Sequence, residues 1–221
     1  MMSARSVWAP LLLPRSIQLG IKYFIDRCVA AVLIIVLAPL MAIVAIFVWL
    51  DDRGPVFFRQ HRMGFNAKPF SIWKFRTMVE DADRLLDDQG HVVNVARVTR
   101  VGRLLRKTSL DELPQLFNIV GGQMSFVGPR PGLPEHYTRY SPVQRRRYSV
   151  RPGVTGLAQV NGRNSLPWSE RIRLDLKYID EYSLLLDLKI LLRTIWVVST
   201  GHGIVLDRNP EQVDDLGPPK S

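Results

Sequence analysis

An unbroken apolar stretch near the N-terminus constrains this chain more than any other feature. It runs from Cys28 to Leu50, reads CVAAVLIIVLAPLMAIVAIFVWL and contains neither a charged residue nor an amide side chain. At about 1.5 Å per residue, a helix of this length covers the roughly 30 Å hydrocarbon core of a bilayer. A secretory signal peptide fits poorly, because the stretch is too long and ends in WLDD without a small-residue cleavage site. The sequence therefore predicts that the chain enters a membrane.

The charges beside this stretch indicate how it lies in the membrane. Lysine and arginine normally accumulate on the cytoplasmic side of a spanning helix, yet here both flanks are basic. The symmetry favours a re-entrant hairpin kinked at Pro39, since proline lacks an N–H and crowds the preceding helical turn. A kinked helix that crosses the membrane is the alternative, which the charges leave open. The flanking cations are Arg5, Arg15, Lys22 and Arg27 before the stretch and Arg53, Arg59, Arg62, Lys68, Lys74 and Arg76 after it.

Hydropathy divides the chain into four segments. We expect a basic lead-in over residues 1–27, the re-entrant hairpin over 28–50, a cytoplasmic domain over 51–200 and a mobile tail over 201–221. The expected fold is α+β: a monotopic membrane protein with a helix-break-helix element and a compact, mostly helical domain.

Periodicity suggests the elements of that domain. Two aromatic-rich, alternating segments, 56–60 and 70–75, predict a short β-hairpin with its break at Gly64-Phe65-Asn66. Helical patterns follow, and the basic and apolar ones have the amphipathic character of interfacial helices. The three helical segments are an acidic one at 80–88, a basic one from Arg97 to Lys107 and an apolar one from Ser183 to Thr200.

Composition narrows the function. Lysine and arginine number 30 against 20 acidic residues, a net charge of +10 that favours anionic partners such as phosphorylated substrates or acidic lipids. The single cysteine excludes an internal disulfide and fits a reducing, cytosol-facing location. Neither a P-loop nor a dinucleotide-binding glycine motif is present, and the four histidines show no ligand spacing.

The most informative stretch is TSLDELPQLFNIVGGQMSFVGPRP, from Thr108 to Pro131. Ser109 and Glu112 have capping-box spacing, which would place Asp111 and Glu112 in a first helical turn. Helix capping alone would explain this pattern. The two prolines around Arg130, however, would hold a guanidinium rigidly for bidentate contact with phosphate. A carboxylate pair near such an arginine favours a phosphate-handling site.

Two further features point to an anionic ligand. A basic cluster, QRRRYSVR, leads into the amide-rich loop VTGLAQVNGRN, and these side chains are either solvated or meet a polar ligand. Asp187 shares a helix stripe with leucines, so its carboxylate requires a cation or a hydrogen-bond donor. The candidate substrate-binding residues here are Arg147, Arg151, Gln159, Asn161 and Arg163.

In this order, these segments resemble the bacterial sugar transferases, specifically the small monotopic polyprenyl-phosphate phosphoglycosyl transferases. The resemblance covers Lys22 to about Val198. It rests on LAPLM, GPVFFRQHRMG, WKFRTM, the DE and GPRP stretch above, RPGVTGLAQVNGRN and LLLDLKI. It departs at the membrane turn, where Ala38 precedes Pro39 and many relatives carry serine.

The resemblance implies an enzyme at the cytoplasmic face of the bacterial inner membrane. It would transfer sugar 1-phosphate from a UDP-sugar to undecaprenyl phosphate, release UMP and use Mg²⁺, as the first membrane step of exopolysaccharide, O-antigen or glycoprotein glycan assembly. Asp111 would be the nucleophile that carries a covalent glycosyl phosphate, Glu112 its partner and Arg130 the phosphate-binding arginine. Lys74, Arg76 and Asp187 would be outer positions of the site, with Asp111, Glu112 and Asp187 as the metal ligands.

Anionic inner-membrane lipids are further expected partners, and a homodimer and contacts with downstream glycosyltransferases stay open. A non-catalytic basic scaffold on the membrane surface is the alternative function. Nucleic-acid binding is disfavoured, because the basic residues alternate with few aromatic ones and the chain is tethered to lipid.

Overall fold

The computed structural model describes residues 14–79, 98–162, 165–200 and 214–217 of the chain. The acidic helix expected at 80–88, Arg97, Arg163 and most of the expected tail lie outside these residues. The basic lead-in is described only from residue 14 onward.

The apolar stretch lies within a single long helix, α1 (Arg15–Asp52), which is long and apolar enough to cross a membrane. The predicted break at Ala38 and Pro39 is not observed, since the helix continues through Pro39. A proline removes one backbone donor, and the helical turns on either side remain hydrogen-bonded. The kink itself and the monotopic topology stay predictions.

One side of α1 packs along the rest of the protein. Ala30, Met41, Val44 and Val48 are buried on this side, while the opposite side leaves large apolar residues such as Ile35 exposed. Burial of one apolar stripe is the main contribution that packing makes to a helix of this kind.

Both ends of α1 also make polar contacts with the domain. Near its start, Lys22 forms an ion pair with Asp187 at 2.8 Å. At its other end, the backbone N–H of Val101 donates to the Asp51 carboxylate at 2.9 Å, and Asp52 pairs with Arg76. These attachment points would be about 45 Å apart along a straight helix. The domain is therefore fastened to α1 along nearly its whole length.

The predicted hairpin is confirmed. β1 (Phe57–Met63) pairs antiparallel with β2 (Pro69–Phe75), in a register that places Phe58 opposite Lys74. The chain turns after Gly64, where Asn66 and Ala67 both have φ of 54°.

The remaining described elements are short helices around a second, parallel pair of strands. β3 (Ser125–Val127) follows the turn at Gly121 and Gly122 and pairs with β4 (Gly153–Thr155). The backbones of Gly153 and Gly128 lie so close together that a Cβ on Gly153 would be 2.1 Å from the Gly128 nitrogen. The helices are α2 (Arg100–Thr108), α3 (Gln115–Val120), α4 (Pro134–Tyr137), α5 (Pro142–Arg145), α6 (Leu157–Val160), α7 (Trp168–Asp180) and α8 (Leu184–Thr200).

The amphipathic helices agree with the sequence. α2 carries the basic pattern and buries Leu105, and α8 buries Ile190 and Val197 while Leu192 and Ile195 are exposed. Their placement in a membrane interface stays a prediction. Residues 214–217 contact the domain, since Asp214 pairs with Arg139 at 2.6 Å.

The attachment of the domain to both ends of α1 generates a topological prediction. In a Cys28→Ala background, Ser3→Cys and Pro210→Cys should both react only with a reagent that is present on the cytoplasmic side. A helix whose two ends are bound by one polar domain cannot place that domain on both sides of a membrane. Labelling of residue 3 from the opposite side would demonstrate a spanning helix and contradict the prediction.

Candidate active site

Asp111 and Glu112 lie in a 3-10 turn, Leu110–Glu112, between α2 and α3. Before this turn the backbone of Ser109 adopts the left-handed conformation, with φ of 59°. Leu110 and Leu113 then pack against the core cluster beside α1. The two carboxylates consequently face the other way and line a cavity.

The predicted capping box at Ser109 is wrong. The Ser109 side chain makes no capping hydrogen bond to this turn, and its left-handed backbone ends α2 instead. The Glu112 carboxylate is bound by cations rather than by the backbone of a capping serine. The sequence spacing did place both acidic residues in a first helical turn, as expected.

Glu112 forms ion pairs with two segments of the chain that are far apart in sequence. Its Oε1 accepts from Lys74 Nζ of β2 at 2.7 Å and from Arg130 Nη2 of the Gly-Pro-Arg-Pro segment at 2.7 Å. Charge-assisted bonds of this kind are among the strongest in proteins. Glu112 thereby fixes the relative position of the two cations that the sequence assigned to phosphate binding.

Asp111 is engaged less closely. Its Oδ2 lies 3.8 Å from Lys74 Nζ, beyond hydrogen-bond distance, and its side chain is 12% exposed. Among the described residues, this ion pair is the closest polar contact of the Asp111 carboxylate. A carboxylate that is near cations but not bound by them has lone pairs available for a reaction.

The surroundings move the pKa values of the two carboxyl groups in opposite directions. Burial alone would raise the pKa of Glu112, but the charges of Arg130 and Lys74 outweigh it and hold that pKa below its usual range. Burial raises the pKa of Asp111, the charge of Glu112 adds to the rise, and Lys74 opposes it. Such divergence within an acidic pair is typical of groups with different chemical roles.

Asn118 of α3 fastens the strand that carries Lys74. The backbone N–H of Trp73 donates to Asn118 Oδ1 at 3.0 Å, and Asn118 Nδ2 donates to the Ser71 carbonyl at 2.8 Å. This buried amide replaces a neighbouring strand at the edge of β2. The sequence analysis missed Asn118, although a polar residue inside the apolar helix QLFNIV was a usable signal.

The cavity has a volume of about 1260 Å³ and is lined by both charged and apolar residues. The apolar lining residues include residues of α1 and α8. Its charged lining residues are Arg62, Lys74, Arg76, Arg106, Asp111, Glu112, Arg130, Arg147, Arg171 and Asp175, and the apolar ones include Leu33, Leu37, Leu116, Phe126 and Val197. The arrangement suits a ligand with both anionic and apolar portions.

Two predicted binding residues, Gln159 and Arg76, line this cavity and have buried polar atoms without a hydrogen-bond partner in the described part of the chain. The Gln159 side-chain amide is buried, and neither its nitrogen nor its oxygen has a hydrogen-bond partner in the described part of the chain. Arg76 pairs with Asp52 through Nη2, while its buried Nε and Nη1 lack partners there. Unsatisfied buried polar atoms are costly, which favours a polar ligand at these positions.

Arg147 has a different environment from the one predicted. Its guanidinium is 2% exposed and forms an ion pair with Asp175 at 2.5 Å. It also donates to the Tyr140 hydroxyl at 2.8 Å and to the Arg130 carbonyl at 2.9 Å. Both terminal nitrogens of the guanidinium are bound by protein groups, whereas its buried Nε has no partner in the described part of the chain. Arg147 lines the cavity and supports the backbone of Arg130, and its direct binding of phosphate stays a prediction.

Arg151 and Asn161 are also used inside the protein. The Arg151 guanidinium lies 4.1 Å from the ring centre of Tyr23 of α1, and the Arg151 backbone N–H donates to the Tyr23 hydroxyl. Asn161 Nδ2 donates to the Leu157 carbonyl at 2.6 Å and ends α6. Neither lines the cavity. A basic or amide-rich sequence does not reveal whether its side chains contact other parts of the protein or a ligand.

The expectation that Asp187 needs a cation or a hydrogen-bond donor is confirmed. The predicted metal site of Asp187 with Asp111 and Glu112 is not observed among the described residues. Asp187 of α8 lies 2.8 Å from Lys22 of α1 and accepts from the Tyr178 hydroxyl at 2.8 Å. It does not line the cavity. The structure therefore separates Asp187 from the carboxylate pair.

The donor set defines which metal ion the site could hold. In the described ranges, no group of three or more histidine, cysteine, aspartate or glutamate residues is arranged to hold a metal ion. Magnesium is commonly bound by one or two carboxylates together with water and substrate phosphates. Asp111 and Glu112 fit an ion that is held jointly with a phosphorylated substrate.

Comparison with known proteins identifies the class. The model of the bacterial sugar transferase family matches residues 17–201, and the chain belongs to this family. The protein is accordingly an enzyme of the sugar transferase type, as the sequence motifs predicted.

Individual relatives agree with this assignment. EpsL of Bacillus subtilis, named an uncharacterized sugar transferase, is 41% identical over 197 residues, which cover 88% of this chain and 91% of EpsL. The exopolysaccharide production protein ExoY of Rhizobium meliloti is 36% identical over 221 residues, 91% of this chain and 98% of ExoY. A UDP-glucose:undecaprenyl-phosphate glucose-1-phosphate transferase of Klebsiella pneumoniae is 42% identical over 190 residues. Those residues cover 81% of this chain and 40% of the Klebsiella protein.

The buried Arg147–Asp175 pair generates a test that separates a structural role of Arg147 from phosphate binding. Arg147→Met should destabilise the protein by about 3 kcal/mol or more, because it leaves a buried carboxylate without its cation. The double variant Arg147→Met/Asp175→Leu should recover most of this loss, measured by thermal unfolding in detergent. If Arg147→Met leaves the unfolding temperature unchanged and weakens only substrate binding, Arg147 binds phosphate after all.

Proposed function

We propose that the protein transfers sugar 1-phosphate from a UDP-sugar to undecaprenyl phosphate and releases UMP. The reaction would form the first lipid-linked sugar of exopolysaccharide or related glycan assembly. Support comes from membership in the family and from relatives whose names state this reaction or exopolysaccharide production. The cavity has both cationic and apolar lining residues, which suits a donor with phosphates and an acceptor with a lipid chain.

The observation that carries the proposal is the inequality of the two adjacent carboxylates. Glu112 is bound at 2.7 Å by Lys74 and by Arg130, whereas Asp111 is no closer than 3.8 Å to Lys74. Glu112 is therefore occupied as a structural anion, and Asp111 is the carboxylate that can react. Lys74 and Arg130 are positioned to receive the phosphates of the donor.

In the first step, an Asp111 carboxylate oxygen attacks the sugar-bearing phosphorus of the UDP-sugar. A bond forms between that oxygen and phosphorus, and the bond from this phosphorus to the oxygen of the uridine-bearing phosphate breaks. UMP leaves with the electron pair, and Asp111 carries the sugar phosphate as an acyl phosphate. Lys74 and Arg130 offset the negative charge that accumulates during the displacement.

In the second step, an oxygen of undecaprenyl phosphate attacks the same phosphorus. The bond to Asp111 breaks, the carboxylate is restored, and the lipid carries the sugar diphosphate. Division into two steps lets one anion leave before the next arrives, which reduces repulsion between phosphates.

We propose that Asp111 and Glu112 hold a magnesium ion together with the substrate phosphates. When bound, the ion would neutralise charge on the phosphoryl oxygens and order them. Both cations bind Glu112 through Oε1, so Oε2 is the oxygen that would meet the ion. The Asp187 carboxylate is excluded from this proposal because it does not line the cavity.

We further propose that α1 enters and leaves the membrane on the cytoplasmic side. The contacts of the domain with both ends of α1 support this arrangement. It would place the cavity, whose apolar part includes Leu33 and Leu37 of α1, at the level of the lipid headgroups. A lipid phosphate could then reach Asp111 while its chain stays in the membrane.

Asp111→Asn tests the reaction directly. The amide is a poor nucleophile, so UMP release in the presence of undecaprenyl phosphate and a panel of UDP-sugars should fall by about a thousandfold or more. With wild-type enzyme and donor alone, intact-mass spectrometry should detect one added sugar phosphate, located on Asp111 by peptide mapping. Asp214→Asn is the matched control, since Asp214 lies outside the cavity and is partnered by Arg139.

The same experiment separates the alternatives. Near-normal turnover by Asp111→Asn would reject the covalent role of this residue. A wild-type protein that binds membranes but turns over none of the donors would favour the scaffold function.

The pKa of Asp111 predicts the pH dependence. Only the ionised carboxylate attacks, so kcat/KM should fall as the pH drops through the raised pKa of Asp111. Lys74→Met removes a charge that lowers this pKa, and the acidic limb of the profile should therefore move to higher pH. Lys74→Arg, which keeps the charge, is the control. An acidic limb that stays in place in Lys74→Met would contradict the assignment.

A further inference from the structure

Arg62 at the end of β1 is a cationic group of the cavity that neither the sequence analysis nor the reaction described above uses. Its side chain lines the cavity together with Lys74, Glu112 and Arg130. Alternation along β1 places Phe58, Gln60 and Arg62 on one face, and all three line the cavity. The face of the hairpin that carries Lys74 thus also carries a second cation.

The backbone brings Arg62 close to the Arg130 segment. The N–H of Met63, the next residue, donates to the carbonyl of Gly132 at 2.9 Å and forms an isolated antiparallel bridge with it. Gly132 follows Arg130 by two residues. The end of β1 and the Gly-Pro-Arg-Pro segment are therefore joined directly, independently of any side chain.

Among the described residues, the Arg62 guanidinium has a positioning partner but no counter-ion. Gln60 Oε1 accepts from Arg62 Nε at 3.0 Å and from Nη2 at 2.5 Å, a two-donor contact that orients the plane of the guanidinium. In the described part of the chain, no carboxylate lies within ion-pair distance of Arg62. Lys74 and Arg130, by contrast, share the Glu112 carboxylate.

The electrostatic surroundings agree with this geometry. Burial lowers the pKa of Arg62 to about 10 and the charge of Arg130 lowers it too, although Glu135 and Glu112 oppose the shift. Two neighbouring guanidinium groups repel each other, and an anion bound between them would remove that repulsion. Arginine pairs of this kind match the oxygens of a phosphate group.

We propose that Arg62 and Arg130 together bind a phosphate group of the substrates, with Gln60 as the residue that positions Arg62. This inference rests on the proposed function for the identity of the phosphate, which is either in the UDP-sugar or in the polyprenyl phosphate. Arg62 would contact the phosphate directly, and Glu112 would hold Arg130 toward the same group.

The test compares two arginines of the same strand. Arg62→Gln should weaken the binding of UDP, measured by titration calorimetry without turnover, or raise the KM for undecaprenyl phosphate, by roughly 10- to 100-fold. Arg59→Gln is the matched control, because Arg59 is exposed and does not line the cavity. Its guanidinium carbon lies 3.6 Å from the centre of the Trp73 ring. Arg59→Gln should change both quantities less than twofold.

The two arms distinguish the source of the phosphate. Weaker UDP binding assigns Arg62 to the donor, and a raised KM for the lipid with unchanged UDP binding assigns it to the acceptor. If Arg62→Gln matches Arg59→Gln in both measurements, the proposal is overturned.

A second variant and the UDP-binding measurement distinguish failure of the proposal from a folding defect and from failure of the transfer reaction. Should Arg62→Gln not fold, Arg62→Lys replaces it, because lysine keeps the charge and loses the two-donor fork. A severalfold weaker affinity then supports the proposal, and an unchanged affinity rejects it. Equilibrium binding of UDP needs no turnover, so failure of the transferase assay and failure of this phosphate site give different results.

Discussion

The site depends on the carboxylate of Glu112, whose side chain is 16% exposed. It binds Lys74 from the hairpin and Arg130 from the segment after β3, and it thereby adds a side-chain link to the backbone bridge between Met63 and Gly132. Removing Glu112 would take this shared anion from both cations. The arrangement also sets the contrast with Asp111, whose carboxylate lies beside the same cations without being held by them.

Hydrogen bonds from other buried polar side chains support the backbone on both sides of this ion pair. Asn118 fastens the strand of Lys74 to α3 through two hydrogen bonds to its backbone. Arg147, neutralised by Asp175, donates to the carbonyl of Arg130. The charged residues of the cavity are therefore held by other buried polar groups, and the geometry is fixed before any substrate binds.

Local patterns predicted much of this structure. Alternating aromatic residues predicted the hairpin, and the Asp-Glu pair, Lys74 and Arg130 do meet in one cavity. The sequence was least informative where a residue's surroundings depend on a partner distant in sequence. Arg147 and Asp187 carry the charges expected of ligand-binding residues, and each pairs with an opposite charge, Asp175 and Lys22, that no spacing rule reveals. Arg62 was overlooked for a similar reason, because within a basic flank nothing marks the one arginine that faces a cavity.

The close packing of α1 against the domain has a practical consequence. Residues 30–48 of α1 complete two of the hydrophobic clusters that contain β2, α2 and α3. A fragment that starts after α1 would therefore lack the α1 residues of both clusters and expose the surface they cover to water. This long apolar helix is as much a part of the folded unit as the strands, and detergents or nanodiscs that preserve it are the natural medium for handling this enzyme.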